Sequence, residues 1–267
     1  MSFRSCSSER RGTGLWPALW SAFFFVIEEI CNLHYNREQN TEKERVYYMK
    51  HVVVDLEMNP VGRDFQEVRK KLSGEVIEIG AVRLDEDYRQ ESEFQCYVAP
   101  EYGAIRRHIT ELTGITQEMV TGKKHFGAAF QDFVSWVGEE ETKIYSWSMA
   151  DIKQLRRECH LKLADFDTAW LDCRWVDLQR AFDDRIGLHN SLALKHALGA
   201  MNRDFEGTAH TALADAINTS AILALMQDDA KFREVMAPVI EVLKPKEELS
   251  ASLGDLFPEL AKFQAEH

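Results

Sequence analysis

His51-Val52-Val53-Val54-Asp55-Leu56-Glu57 is the stretch that decides the fold. The run from His51 to Val54 reads as a short buried central strand ending at Asp55, because side chains branched at Cβ suit a packed, pleated surface. Successive strand residues point to opposite faces, so Asp55 and Glu57 share one face and both carboxylates can meet one metal ion. Alone, Asp-x-Glu at a strand end reads as two solvated charges, and only further support makes it a site.

Further along, Val76 to Leu84 predicts a second strand and Phe94 to Val98 a third, stopped at Pro100. Three early strands joined by loops suggest an antiparallel meander. Phe126, Phe130, Phe133, Val134 and Val137 recur at helical spacing, which predicts an amphipathic helix ending near Gly138. Lys143 to Trp147 reads as a fourth strand and Asp151 to Cys159 as a helix. Asn190 reads as the N-cap of a helix reaching Ala197 or Leu198, with Gly199 as the stop. Ala212 to Leu225 is apolar nearly all round, which predicts a buried helix. Strands first, then alternating strand and helix, give an α/β fold with a mixed sheet. From about residue 228 the chain is charged and interrupted by Pro238, Pro245 and Pro258. Residues 49–227 therefore read as the domain and 228–267 as an acidic, partly helical tail.

Two further segments carry chemistry. His210 and Asp215 form His-x-x-x-x-Asp at the entry to the last predicted helix. An aspartate in a first turn can be there for the helix dipole alone. Yet every neighbour of Asp215 past Thr211 is apolar, and a buried carboxylate needs a metal or a cation beside it. Asp151 follows the fourth strand, where it suits an N-cap and is compatible with catalysis too. These residues fall at strand ends and helix starts, where α/β sheets build their sites.

A formal net charge of −12 does not describe a general nucleic-acid glue, which is normally basic. It does not exclude a nuclease, whose metals supply the positive charge. The five cysteines, Cys6, Cys31, Cys96, Cys159 and Cys173, include no closely spaced pair, which excludes a zinc ribbon or Cys-x-x-Cys site and fits a reducing cytosol.

Residues 1–48 differ from the rest. The apolar run from Leu15 to Ile27, broken by Pro17 and Ser21, is too short for a bilayer span of about 20 residues. A signal peptide would need a small-x-small cleavage pattern, and Glu28 and Glu29 stand there instead. Lys43-Glu44-Arg45 can be encoded by a purine run resembling a bacterial ribosome-binding site. The expectation is a mis-assigned start, with translation from Met49 and no membrane anchor.

Taken in order, the segments resemble the DnaQ-like 3′→5′ exonucleases of the DEDDh type. Asp55-Leu56-Glu57 followed by Glu78-Ile79-Gly80-Ala81-Val82 is similar to the first motif region. Phe94-Gln95-x-Tyr97-Val98-x-Pro100 and Leu112-Thr113-Gly114-Ile115-Thr116 resemble the segments that follow. Ser146-Trp147-x-x-x-Asp151-x-x-x-Leu155 resembles the second motif, and His210-x-Ala212-Leu213-x-Asp215-Ala216 the third. Glu206-Gly207-x-x-His210 is most similar to the histone-mRNA exonuclease and KapD-like branch. Ser148, Ala150, Thr208 and Ala209 depart from that branch.

This resemblance implies an RNase H-like fold, a mixed five-stranded sheet flanked by helices. It implies a hydrolase that releases nucleoside 5′-monophosphates from single-stranded 3′ ends, RNA favoured, and the cysteine pattern adds the expectation of a cytoplasmic location. A DNA exonuclease and a non-catalytic module on the same fold are the alternatives. Asp55, Glu57 and Asp215 would hold one Mg²⁺ or Mn²⁺, and Asp55 with Asp151, directly or through water, a second. His210 would be the general base. Met58 and Trp147 would flank the terminal base, with core packing as the alternative for both. Arg106-Arg107 and Lys123-Lys124 are candidate phosphate contacts, each also readable as solvated surface charge.

Overall fold

The computed structural model describes residues 49–138 and 141–243. The extension 1–48, with its start-codon and anchor questions, lies outside the described residues, as does 244–267. Along the chain the elements are β1 (Lys50–Pro60), α1 (Gln66–Arg69), β2 (Gly74–Leu84), β3 (Gln90–Tyr97), α2 (Arg107–Thr113), α3 (Gln117–Val120), α4 (Phe126–Val137) and β4 (Thr142–Ser146). There follow α5 (Ala150–Lys162), α6 (Ala169–Asp172), β5 (Trp175–Asp177), α7 (Leu178–Ile186), α8 (Leu194–Ala200), α9 (Ala212–Gln227) and α10 (Asp229–Leu243).

The sheet runs β3-β2-β1-β4-β5. β1 is antiparallel to β2, β2 to β3, and β1 is parallel to β4 and β4 to β5, which is the mixed five-stranded sheet expected. Alternation along β1 divides its side chains between two cores. Val52, Val54 and Leu56 pack with Phe126, Phe130, Phe133 and Leu155 from α4 and α5. Val53 packs on the opposite face with Phe182, Leu223 and Met236 from α7, α9 and α10. Burying both faces is what places the β-branched run at the centre of the sheet. Asp55 and Glu57 share the face of Val53, beneath α9.

Four expectations need correction. α8 begins at Leu194, with Ala193 in the cap position, while Asn190 lies in an exposed bend before it. Gly199 falls inside that helix rather than ending it. Asp151 is not an N-cap: Met149 holds that position and Asp151 sits in the first turn. The compact fold also does not close at residue 227. α10 buries Phe232 and Met236 in the second core, and Pro238 lies within this helix instead of breaking it.

Candidate active site

β1 and β4 run parallel, so their C-terminal ends open on the same side. β1 delivers Asp55 and Glu57 there. The turn after β4 delivers α5, whose Asp151 is only 5% exposed. The Asp151 carboxylate accepts hydrogen bonds from its own backbone N–H and from that of Leu56, which ties α5 to the strand carrying the acid pair.

The third contribution comes from α9. Opposite Asp55 in the ladder stands Gly80 of β2. A Cβ on Gly80 would lie 2.1 Å from the Leu213 nitrogen, so the start of α9 rests directly on the strand backbone. That close approach brings Asp215 and His210 over β1. Ligand atoms of Glu57, His210 and Asp215 all lie within 4.8 Å of one another. His210 is exposed and adopts φ 64°, and the Asp215 carboxylate accepts its backbone N–H.

The electrostatics follow from this crowding. Burial pushes Asp55 well above the usual carboxylate range, and Asp151, Asp215, Glu57 and Glu78 push it further. Burial, then Asp215 and Glu78, push Glu57 up to about 8. Burial raises Asp151 to about 7 against the hydrogen bonds that favour its charge. Burial also raises Asp215 to about 6, opposed by His210. A cluster of this kind holds its full negative charge only when cations enter it.

Comparison with known proteins follows the same residues. A family model described as exonuclease, RNase_T, matches residues 52–223. The chain belongs to this exonuclease family. The match takes in all five residues of the predicted acid–histidine set. Within the family, the exonuclease domain is similar to 3′-5′ exoribonuclease 1 of Rattus norvegicus, 26% identical over 172 residues, covering 60% of this chain and 49% of that protein. It spans about half the length of that relative. It is also similar to the probable 3′-5′ exonuclease KapD of Bacillus subtilis (strain 168), 25% identical, covering 61% of this chain and 78% of that protein. Among solved structures, the nuclease domain of 3′hExo, a DEDDh family member bound to rAMP, superposes with a TM-score of 0.58 at 23% identity, covering 70% of this chain and 96% of that one. The exonuclease domain therefore has the RNase H-like fold.

The remaining candidates are placed less uniformly. Met58 is half-buried against the first core, one residue beyond Glu57. Trp147 is 7% exposed, packs on Phe182 in the second core and donates its indole N–H to Leu192 O at 3.0 Å. Its ring is part of the exonuclease core. Arg106 donates to Val61 O at 3.4 Å, Arg107 pairs with Glu111 at 2.7 Å, and Lys124 pairs with Asp132 at 2.5 Å. One buried acid, Glu78, stands at the site without having been singled out as a site residue. The signal was present, because it is a lone carboxylate inside the apolar run Val76-Ile77-Glu78-Ile79.

Proposed function

We propose that this domain is a metal-dependent 3′→5′ exonuclease that releases nucleoside 5′-monophosphates, with single-stranded RNA as the favoured substrate. The observation that carries this reading is the convergence of Asp55, Glu57, Asp151 and Asp215 at one end of the sheet, with ligand atoms of Glu57, Asp215 and the exposed His210 within 4.8 Å of one another. The site fits divalent cations: its carboxylates are all-oxygen donors of the kind Mg²⁺ and Mn²⁺ prefer, and the groups that raise Asp55 after burial are all anionic. Asp55, Glu57 and Asp215 would hold one ion, and Asp55 and Asp151 the second. When bound, such ions supply positive charge to the scissile phosphate and to the attacking and leaving oxygens.

The chain's own groups do the rest. His210, exposed beside Glu57 and Asp215, accepts the proton that the attacking water gives up. The hydrogen bond from its backbone N–H to Asp215 holds the His210 main chain beside that acid. Met58, half-buried beyond Glu57, offers an apolar surface to the terminal base. RNA is favoured because the rat relative bears the name of an exoribonuclease and the solved nuclease domain is bound to rAMP. We assign the protein to RNA processing in the cytoplasm, where the free thiols of Cys96, Cys159 and Cys173 fit a reducing compartment.

The deciding assay uses end-labelled RNA and DNA oligonucleotides of matched sequence, with Mg²⁺, with Mn²⁺ and with EDTA. Metal-dependent shortening from the 3′ end, faster on RNA, is the expected result. Equal or faster trimming of DNA overturns the substrate assignment, and no cleavage of either overturns the activity.

A further inference from the structure

Glu78 lies on β2 directly opposite Glu57 and is 0% exposed. Its charge pushes up Asp55, Glu57 and Asp215. A further carboxylate in such surroundings is unfavourable unless donors hold it. Two do. The Gln95 side-chain amide donates to Oε1 at 2.7 Å, and the Ala212 backbone N–H donates to Oε2 at 3.1 Å.

Ala212 is the first residue of α9, a helix of 16 residues. Its N–H is one of the leading donors that no intrahelical carbonyl can satisfy. Thr211, in the cap position, makes no side-chain cap hydrogen bond, and its hydroxyl donates to Thr208 O at 3.0 Å instead. Glu78 supplies the missing acceptor from across the sheet. A charged acceptor at a helix N-terminus is favoured by both the charge-assisted bond and the dipole. Gly80, two residues further along the same strand face, leaves the space that lets the helix come down.

We propose that Glu78 is a positioning residue for the active site. By accepting the Ala212 N–H it anchors the first turn of α9, which carries Asp215 and follows His210 and Thr211, over Asp55 and Glu57. Each of its oxygens accepts one hydrogen bond, and it lies outside the group of ligand atoms formed by Glu57, His210 and Asp215, so its role runs through the helix. Its catalytic readout rests on the exonuclease activity proposed above. Its readout in the metal-free protein does not.

Glu78→Met keeps length and apolar fit but removes the acceptor, whereas Glu78→Gln keeps one acceptor oxygen for Ala212. Hydrogen exchange of the amides of residues 212–215, Mn²⁺ binding by calorimetry, and kcat and KM on a labelled oligonucleotide are measured on both. Loss of a hydrogen bond to a charged group predicts about tenfold faster exchange in the first turn of α9 for the Met variant. Its Mn²⁺ affinity and kcat should fall by about the same factor with KM little changed, and Gln should restore most of each. Wild-type exchange and Mn²⁺ affinity in a folded Met variant overturn the proposal, as does a Gln variant no better than Met. Should Met prevent folding, Ala212→Pro deletes the donor at a helix position that accepts proline. It should reproduce the loss of Mn²⁺ affinity, and unchanged affinity overturns the proposal. If the wild type cleaves neither RNA nor DNA, the proposed activity fails while exchange and Mn²⁺ binding still decide the role of Glu78.

Discussion

Gly80 stands directly opposite Asp55 in the β1–β2 ladder, and the backbone of Ala212 and Leu213 lies where its side chain would be. Neither strand nor helix backbone can yield cheaply. Gly80→Ala is therefore expected to lower stability by about 1–3 kcal/mol or more, the usual cost of overpacking. Activity should fall further than stability, because the displaced helix carries Asp215. Urea unfolding and the nuclease assay check this together. Wild-type values in both would show that α9 can shift freely.

Removing an acid from the cluster should separate activity from stability. Asp55→Asn and Asp215→Asn are each expected to abolish cleavage. In the metal-free protein they should raise the thermal midpoint, since burial and like charge disfavour the native carboxylate at neutral pH. Calorimetric melting of EDTA-treated protein measures the second effect. Full activity in either variant would sink the metal-ligand assignment.

His210→Ala should slow cleavage by about 10²–10⁴-fold, the range for losing a general base. Mn²⁺ binding should survive. A lost Mn²⁺ heat signal would instead make the imidazole a ligand alongside Glu57 and Asp215, to which it lies close enough.

Stability of the metal-free protein should depend on pH with a definite sign. The folded state holds protons on Asp215 up to about 6, on Asp151 up to about 7 and on Glu57 up to about 8. The unfolded chain releases them near the ordinary carboxylate values of about 4. A raised folded-state pKa contributes stability that is complete below the unfolded value and lost as pH rises through the folded one. The EDTA-treated protein should thus melt lower at about pH 8 than at about pH 5.5, with Mn²⁺ restoring more of the loss at the higher pH. A midpoint that climbs across this window contradicts the assignment.

Lys162 is expected to matter for stability. Its ammonium lies 2.7 Å from Glu158, 2.9 Å from Glu75 and 3.1 Å from Glu101, and its side chain is 6% exposed. Glu158 in turn accepts the Val76 N–H at 2.5 Å, beside the point where the β1–β2 register slips between Glu57 and Met58. Gln154 donates to Gly74 O at 2.6 Å. This network latches α5, and so Asp151, to the start of β2. Lys162→Met strands two buried carboxylates and should cost about 3–5 kcal/mol. Chemical denaturation tests it, and a loss well under this range would mean that the acids relax to solvent.

The elements visible in the sequence are those whose pattern is decided locally. The β-branched run of β1, the phenylalanines of α4 and the alanine-rich α9 each carry one period over enough residues. β5 is three residues, Trp175-Val176-Asp177, too few to alternate, and its place is set by pairing with β4. α10 was obscured because Pro238 reads as a breaker, although Phe232 and Met236 carry the apolar face. Asn190 is a sound capping residue at a place where tertiary structure starts no helix. Within the site, Asp55 and Glu57 were visible from strand alternation, whereas for Trp147 the sequence left a substrate contact and core packing both open. Its burial depends on α7 and on Leu192, both distant in sequence.

The seating of α9 on β2 also sets the order of events during synthesis. Asp55 and Glu57 leave the ribosome early, and Asp151 follows much later. The helix that completes the set emerges last and is covered by Phe232 and Met236 of α10. Until those residues are available, the nascent chain carries its first acid pair with no α9 above it. Pairings so distant in sequence form late, because the entropy of closing the loop must be met first. The proposed metal-binding constellation therefore cannot exist on a growing chain until nearly the whole described domain has been translated.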